Sequence, residues 1–188
     1  MKVKLSDREI KRIECEAVIS YFFTDERPLQ GVTGWVDQQL KGSLTRLLKN
    51  GKINGHFKEF ILIGSQDKIS SPRILLVGLG DSSQFSFKKY SQISEEIRKV
   101  ILGMKVFSLA TPLPGLHLAN LEPSRAAEIF LVSMAKSFGD DQACREFNLI
   151  LIEEPNKIDR ILNGTLQARE KLKGKIELEV LRDEDDET

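Results

Sequence analysis

The chain has 188 residues, of which 40% are apolar and 30% charged, and its 28 basic and 28 acidic side chains leave no net charge. This length suits one domain, and the neutral charge argues against nucleic acid as a partner, because phosphate binding usually needs a basic excess. The charged amino terminus and the lack of a long apolar run argue against a signal peptide and a membrane span, so we expect a cytoplasmic protein.

The first half of the chain alternates between short apolar runs and one helical stripe. Residues 14–23 ("ECEAVISYFF") are apolar and partly β-branched, which predicts a strand. From Val32 the apolar positions recur with helical spacing, which predicts one helix that ends at Gly51. The runs at 59–64 and 73–80 are almost continuously apolar, which predicts strands with both faces buried.

The second half continues this alternation. Pro123 suits the first turn of a helix and Gly139 suits its end. Residues 175–181 alternate in polarity, which predicts a last strand at the edge of a sheet. The remaining predicted elements are a helix in "KKYSQISEEIRKVILGM", a strand in "VFSLATPLPG", a strand in "FNLILIEE" and a helix in "NKIDRILNGTLQAREKLKG".

Strands that alternate with helices predict the α/β class. We expect a three-layer α/β/α arrangement, in which a mixed, mainly parallel sheet is flanked by helices. One such domain is predicted over residues 1–181. The acidic residues 182–188 are too polar to pack and are predicted to form a disordered tail.

The sequence predicts no metal site, no catalytic residue and no cofactor. His56 and His117 lie far apart and form no ligand pair, so we expect surface or structural roles for both. Cys15 lies between two glutamates that disfavour its thiolate, and Cys144 has no histidine near it, so both are expected to be reduced and unreactive. The paired acids at 153–154 end a buried strand, where ligand sites gather, but a helix-capping or solvated role is favoured.

Three glycine-bearing loops adjoin the predicted strands and offer backbone amides to an anion. "GVTG" opens a helix, where free N–H groups and the helix dipole favour phosphate. "VGLGD" and "TPLPG" follow strands, and because glycine also makes tight turns, a turn and a ligand loop both stay open as interpretations. If the strands are parallel neighbours, the loops meet at one edge of the sheet. The candidate ligand-binding residues are Gly31, Val32, Thr33, Gly34, Gly78, Gly80, Asp81, Thr111 and Gly115.

Residues 34–64 and 73–106 resemble the N-terminal domain of the leucine aminopeptidases, the cytosol aminopeptidase family. There an amphipathic helix leads to a strand and then to "LLVGLG", with an aromatic residue shortly after it, a helix and another strand. The resemblance covers the element order over 16–172. In that family the metal ligands, the catalytic Lys and Arg and the signature Asn-Thr-Asp-Ala-Glu-Gly-Arg-Leu lie in a C-terminal domain, and this sequence has no such octapeptide. The resemblance therefore implies a free-standing, non-catalytic half without peptidase activity.

That N-terminal domain is similar in fold to the macro domain, which binds ADP-ribose, and residues 16–42 resemble the macro strand–loop–helix segment. Gly31, Val32 and Gly34 match the end of its glycine-rich loop. At 21–23, Tyr-Phe-Phe replaces the Asn-Ala-Asn-type triplet, so the polar groups that hold the distal ribose are missing. The resemblance implies that backbone amides still cradle a phosphate, whereas ADP-ribosyl hydrolysis is not expected.

Three functions are compatible with these patterns. The first is an interaction or assembly module that associates with itself or docks a partner protein. The second is a binder of a phosphate-bearing small ligand, such as ADP-ribose or a nucleotide, at the glycine loops. The third is a hydrolase, which is disfavoured because no nucleophile–base pair is visible. Trp35 is expected to pack in the core at the helix start; in a cleft it would instead stack on a base or ribose.

Overall fold

The computed structural model describes residues 1–7, 10–135 and 147–181. The predictions for Gly139, Cys144 and the tail at 182–188 lie outside these residues. The strands and helices, in chain order, are β1 (Lys2–Ser6), β2 (Ala17–Phe22), α1 (Gly31–Gln39), α2 (Ser43–Lys49), β3 (Phe60–Gly64), β4 (Arg73–Gly78), α3 (Phe87–Met104), β5 (Ser108–Thr111), α4 (Pro123–Ala135), β6 (Asn148–Ile152), α5 (Pro155–Lys171) and β7 (Glu177–Leu181).

The described strands form one seven-stranded sheet in the order β3-β4-β2-β5-β6-β1-β7. β3 pairs antiparallel with β4, and the other neighbours pair in parallel, which confirms the mixed, mainly parallel sheet. From β2 the chain proceeds to β4 on one side, whereas from β5 it proceeds to β6 on the other, so the strand order changes direction between β2 and β5. Ligands of open α/β sheets bind at such a switch point, outside the carboxyl ends of the strands.

Helices cover both faces of the sheet. Because successive side chains of a strand point to opposite faces, Val18 and Ile19 of β2 join different apolar clusters. The cluster around Ile19 is the largest and includes side chains of α3, α4 and α5. On the opposite face, Val36 of α1 and Leu44 of α2 pack against β4. This arrangement confirms the three-layer, macro-like α/β/α fold.

The single helix predicted after Val32 is two helices in the structure. α1 ends at Gln39, and α2 begins at Ser43 after Gly42, whose φ of 73° is left-handed. The carboxylate of Asp37 accepts the Leu44 N–H at 2.7 Å and so caps α2 from within α1. The break was missed because the apolar spacing continues across it.

Two strands differ from their sequence predictions. β1 was not predicted, because Lys2 and Lys4 make its segment look charged throughout, yet Val3 and Leu5 alternate with them and are fully buried. β3 was predicted to be buried on both faces but is one of the two edge strands of the described sheet, and Leu62 is 57% exposed. An apolar run therefore does not distinguish an edge strand from a central one.

Candidate functional site

A cleft of about 300 Å³ opens at the carboxyl ends of β1, β2, β5 and β6. Its walls come from the start of α1, the loop after β5 and the junction of β6 with α5. Asp7, directly after β1, also lines the cleft. The cleft thus lies at the switch point between β2 and β5, where the topology places a ligand site.

The first turn of α1 presents unpaired backbone amides to this cleft. Gly31 has a φ of 53°, and the first helical hydrogen bond runs from the Gly34 N–H to the Gln30 carbonyl at 2.9 Å. The N–H groups of Gly31, Val32 and Thr33 have no hydrogen-bond partner among the residues that the structure describes. Three adjacent amides at the positive end of a helix dipole form a favourable position for an anion.

The residues after these amides fix the helix against the sheet. The Thr33 hydroxyl donates to the Tyr21 carbonyl at 2.7 Å, which ties α1 to the end of β2. A Cβ on Gly34 would lie 2.5 Å from the Leu29 carbonyl oxygen, so only glycine fits there. Trp35 is partly buried against the apolar clusters on the side of the sheet that α1 covers, and it is not part of the cleft wall. This favours packing in the core over stacking on a ligand.

A fully buried carboxylate organises the loop between β2 and α1. Glu26 accepts the Phe23 N–H at 3.1 Å and the Gln30 N–H at 2.8 Å. Its Oε2 also lies 3.0 Å from Nε2 of His117, whose ring lies beside Gly31 and 5.6 Å from the Phe23 ring. The side chain of Glu26 is 0% exposed and that of His117 is 20% exposed. The pair therefore joins two walls of the cleft, and of the surface or structural roles expected for His117 the contacts favour the structural one.

Beneath the cleft lies a buried polar contact between neighbouring strands. The Tyr21 hydroxyl and Oγ1 of Thr111 are 2.8 Å apart. Since the Thr111 hydroxyl donates to the Pro112 carbonyl at 2.8 Å, Tyr21 is the donor of this pair. Burial raises the pKa of Tyr21, so the phenol stays neutral. Thr111 thus supports the cleft from below, while Pro112 and Leu113 after it form the wall.

A second carboxylate, that of Glu153, lies in the cleft where β6 ends. Its Oε1 accepts the Leu113 N–H at 2.6 Å. Burial raises the pKa of Glu153 to about 7, against the opposing effects of the Leu113 hydrogen bond and of Lys157. Lys157 pairs with Glu154 at 3.1 Å and lines the same end of the cleft. At neutral pH this end therefore carries a carboxyl group close to its titration point.

The loop that contains Gly78, Gly80 and Asp81 lies away from the cleft wall. A Cβ on Gly78 would lie 2.3 Å from the His56 carbonyl oxygen, and Gly80, with a φ of 80°, donates to the Gly55 carbonyl at 2.8 Å. Asp81 accepts the N–H of Ser83, two residues further along the chain. These contacts explain the glycines by close packing and a turn, and their role in ligand binding stays a prediction.

Gly115 lies behind the cleft rather than in its wall. A Cβ there would lie 2.7 Å from the Phe85 ring and 3.0 Å from the Phe23 ring. Of the candidates taken from the sequence, the structure therefore brings Gly31, Val32 and Thr33 to the cleft surface. The side chains of Glu26, His117 and Glu153 were not among those candidates.

Across residues 1–7, 10–135 and 147–181, no group of three or more His, Cys, Asp or Glu side chains is arranged to hold a metal ion. In the same ranges no helix combines the length and the apolar character needed to cross a bilayer.

Sequence comparisons point to one family. Residues 18–142 match the N-terminal domain of the cytosol aminopeptidase family. A probable cytosol aminopeptidase of Burkholderia pseudomallei is 30% identical over 104 residues, which cover 55% of this chain and 20% of that protein. The chain thus aligns with about a fifth of the length of the curated relatives that it matches.

Structural comparisons support the fold. A tomato leucine aminopeptidase variant has a TM-score of 0.60 at 13% identity, covering 87% of this chain and 35% of that one. An Oceanobacillus iheyensis macrodomain with ADP has a TM-score of 0.67 at 11% identity, covering 86% and 88%. A Trypanosoma brucei macrodomain in complex with ADP has a TM-score of 0.66 at 11% identity, covering 86% and 67%. At these identities the likeness shows the fold alone.

The family match extends over more than half of the chain, and the structural matches agree with it. The resemblance predicted from the glycine motifs and the order of elements is confirmed. The chain belongs to the N-terminal domain family of the cytosol aminopeptidases.

Proposed function

We propose that this domain is a non-catalytic binding module whose cleft holds a nucleoside diphosphate or a derivative of one. ADP-ribose is the representative ligand. The observation that carries the proposal is the row of three amides at Gly31, Val32 and Thr33, residues that line the cleft and whose N–H groups have no partner among the described residues. The first N–H groups of a helix have no partner within it, and together with the helix dipole they suit phosphate oxygens. Macrodomains of similar fold were solved with ADP, which supports the ligand class.

The cleft wall beside the end of β1 suits the uncharged part of such a ligand. Asp7 lines the cleft there with a carboxyl group. Hydroxyl groups of ribose and the amino group of a base are hydrogen-bond donors, which carboxyl oxygens accept. The apolar side chains of Ile152 and Pro155 also line the cleft. The cleft thus offers amide donors for phosphate at α1 and a carboxyl acceptor for sugar or base near β1.

The first prediction is that Gln30→Glu weakens ADP-ribose binding about tenfold or more, since like charges brought together oppose binding. Gln30 precedes the open amides and lines the cleft, so the new carboxylate meets the phosphates. The same charge at a helix start is favourable to folding by about 0.3–1 kcal/mol, so the loss is not one of stability. Calorimetric titration with ADP-ribose measures the affinity, and thermal unfolding checks the fold.

Gln38→Glu is the matched control, because Gln38 is exposed near the other end of the same helix. It adds an identical charge away from the cleft and is expected to leave the affinity unchanged. Equal affinities of the two variants would place the phosphates elsewhere, and no binding by the wild-type protein would reject the nucleotide proposal.

A second candidate function, self-association, is favoured by a separate observation. β3 hydrogen-bonds to β4 along one edge, no other described strand pairs with it, and Leu62 on it is 57% exposed. An apolar edge strand with unpaired backbone groups is a template for another strand. Antiparallel pairing of two β3 strands about a two-fold axis would cover both copies of Leu62.

The second prediction tests this pairing. The molar mass by light scattering is expected to rise from one chain toward two as the protein concentration increases. Leu62→Lys should keep the protein at the mass of one chain, since a charge on an edge strand opposes pairing. Leu166→Lys, at an exposed position on α5, is the control and should leave the dimer intact. A wild-type protein of constant single-chain mass would exclude this function.

A further inference from the structure

The Glu153 side chain accepts a backbone N–H, that of Leu113, which has no partner in the sheet. β5 and β6 are parallel neighbours with Thr111 opposite Leu151, and Leu113 and Glu153 each follow two residues later. The strands have ended at this point, so no backbone carbonyl of β6 takes the Leu113 N–H. The Glu153 carboxylate takes it instead, at 2.6 Å, and both residues line the cleft.

The Glu153 carboxylate is thus an anion of the protein itself that already accepts a backbone N–H in the cleft. The open amides of α1 and the Leu113 N–H border one cavity of about 300 Å³, so a phosphate bound in it approaches the Glu153 carboxylate. Two anions in a partly desolvated cleft repel each other strongly, more than they would in water.

We propose that Glu153 is an internal anion that holds the Leu113 N–H in the ligand-free cleft and must be protonated or displaced for a phosphate ligand to bind. This inference rests on the proposed function and adds its regulation. A carboxyl group that takes up a proton loses its charge and its preference for the amide. The amide then becomes a donor that the ligand uses.

The groups around Glu153 come from several parts of the fold. Lys157 on α5 and His117 in the loop after β5 favour its charged form, whereas Glu154 disfavours it. Tyr21 and Tyr90 lie beneath it as neutral phenols, since burial raises the pKa of each. Asp7 faces the same cleft.

The direction of the pH effect follows from linkage. Burial raises the pKa of Glu153 to about 7, so its charge changes within the physiological range. A bound phosphate raises that pKa further, which means that binding takes up a proton and is tighter at lower pH. Histidine also titrates in this range. The difference between the wild-type protein and a Glu153 variant therefore carries the inference, rather than the pH dependence alone.

The test measures the affinity for ADP-ribose by calorimetry at pH 6 and pH 8. ADP-ribose is the suitable probe because its diphosphate is fully ionised at both pH values and does not titrate itself. The wild-type protein is expected to bind about fivefold to tenfold more tightly at pH 6. Glu153→Gln, which keeps the shape and removes the charge, is expected to bind at pH 8 about as tightly as the wild-type protein does at pH 6.

Asp159→Asn is the matched control, because it removes one negative charge from an exposed position of α5 outside the cleft wall. It should keep the wild-type ratio of affinities between the two pH values. A Glu153→Gln protein with the wild-type ratio, or with weaker binding at pH 8, would overturn the inference.

A ligand-free measurement separates failure of this inference from failure of the proposed function. The Leu113 amide resonance of the wild-type protein should shift with pH with a midpoint near 7, because its hydrogen-bond acceptor changes charge. This readout needs neither a variant that folds nor a ligand that binds. A Leu113 amide that does not titrate overturns the internal anion, whereas a titrating amide without ADP-ribose binding by any variant rejects only the ligand class.

Discussion

Replacing Glu26 by alanine is expected to lower the free energy of unfolding by about 3 kcal/mol and to abolish binding in the cleft. The fully buried carboxylate accepts N–H groups of Phe23 and Gln30 and lies 3.0 Å from Nε2 of His117. Each donor left unsatisfied in a buried site costs about 1–3 kcal/mol, and alanine leaves more than one. The loop before α1 then loses the anchor that aligns the open amides.

Thermal and urea unfolding measure the stability, and titration with ADP-ribose measures the cleft. Asp25→Ala is the neighbouring control, since the Asp25 carboxylate is exposed and its contacts are with Ser82 at the surface. That variant should change stability by less than about 1 kcal/mol. Glu26→Gln keeps one acceptor oxygen and is expected to fall between the two. Equal stability of the Glu26 and Asp25 alanine variants would show that the buried network contributes little.

The Glu26–His117 pair shows what sequence reasoning misses at this site. The two residues are 91 positions apart and meet because the loops after β2 and β5 leave the sheet side by side. Neither has a local motif, and Glu26 lies in a segment that reads as a polar loop. Their proximity follows from strand order, which single-sequence patterns leave undetermined.

The elements of the fold were easier to predict than their arrangement. The spacing of apolar residues and the residues that begin or end an element are local features of the sequence. They therefore identified the long helices and most strands, including β7 at an edge. The break between α1 and α2 depends on Gly42 in a left-handed conformation and on the Asp37 cap, which the apolar spacing does not reveal. β1 depends on burial of Val3 and Leu5 between β6 and β7, which is a tertiary effect.

The glycine motifs were ambiguous for a physical reason. Glycine permits a positive φ, and it also permits close approach of another backbone. At Gly31 the positive φ begins a helix whose amides open into the cleft, whereas at Gly78 a neighbouring loop lies too close for any Cβ. The sequence around each is similar in composition. Only the surroundings distinguish a site that faces a cavity from one that faces its own chain.

The close contact between α4 and α5 supports the second large effect, in which Gly164→Ala is expected to destabilise the protein by about 3 kcal/mol. A Cβ on Gly164 would lie 1.9 Å from the Ser124 carbonyl oxygen and 2.7 Å from its carbon. These are backbone atoms of α4, so no side-chain rotation relieves the overlap and the helices must separate. An exposed salt bridge at 3.2 Å also joins Arg160 of α5 to Glu122 just before α4, but exposed ion pairs contribute little to stability.

Gly103→Ala provides a control of the opposite sign. Gly103 is exposed within α3, and a Cβ there meets nothing within 4 Å. Alanine is favoured over glycine inside a helix by about 0.5–1 kcal/mol, so this variant should be slightly more stable than the wild-type protein.

Thermal unfolding measures both effects. The Gly164→Ala variant should melt roughly 6–12 °C lower than the wild-type protein, given about 2–4 °C for each kcal/mol in a chain of this size. If both alanines stabilise, the helices can separate at little cost, and their close approach is not a source of stability.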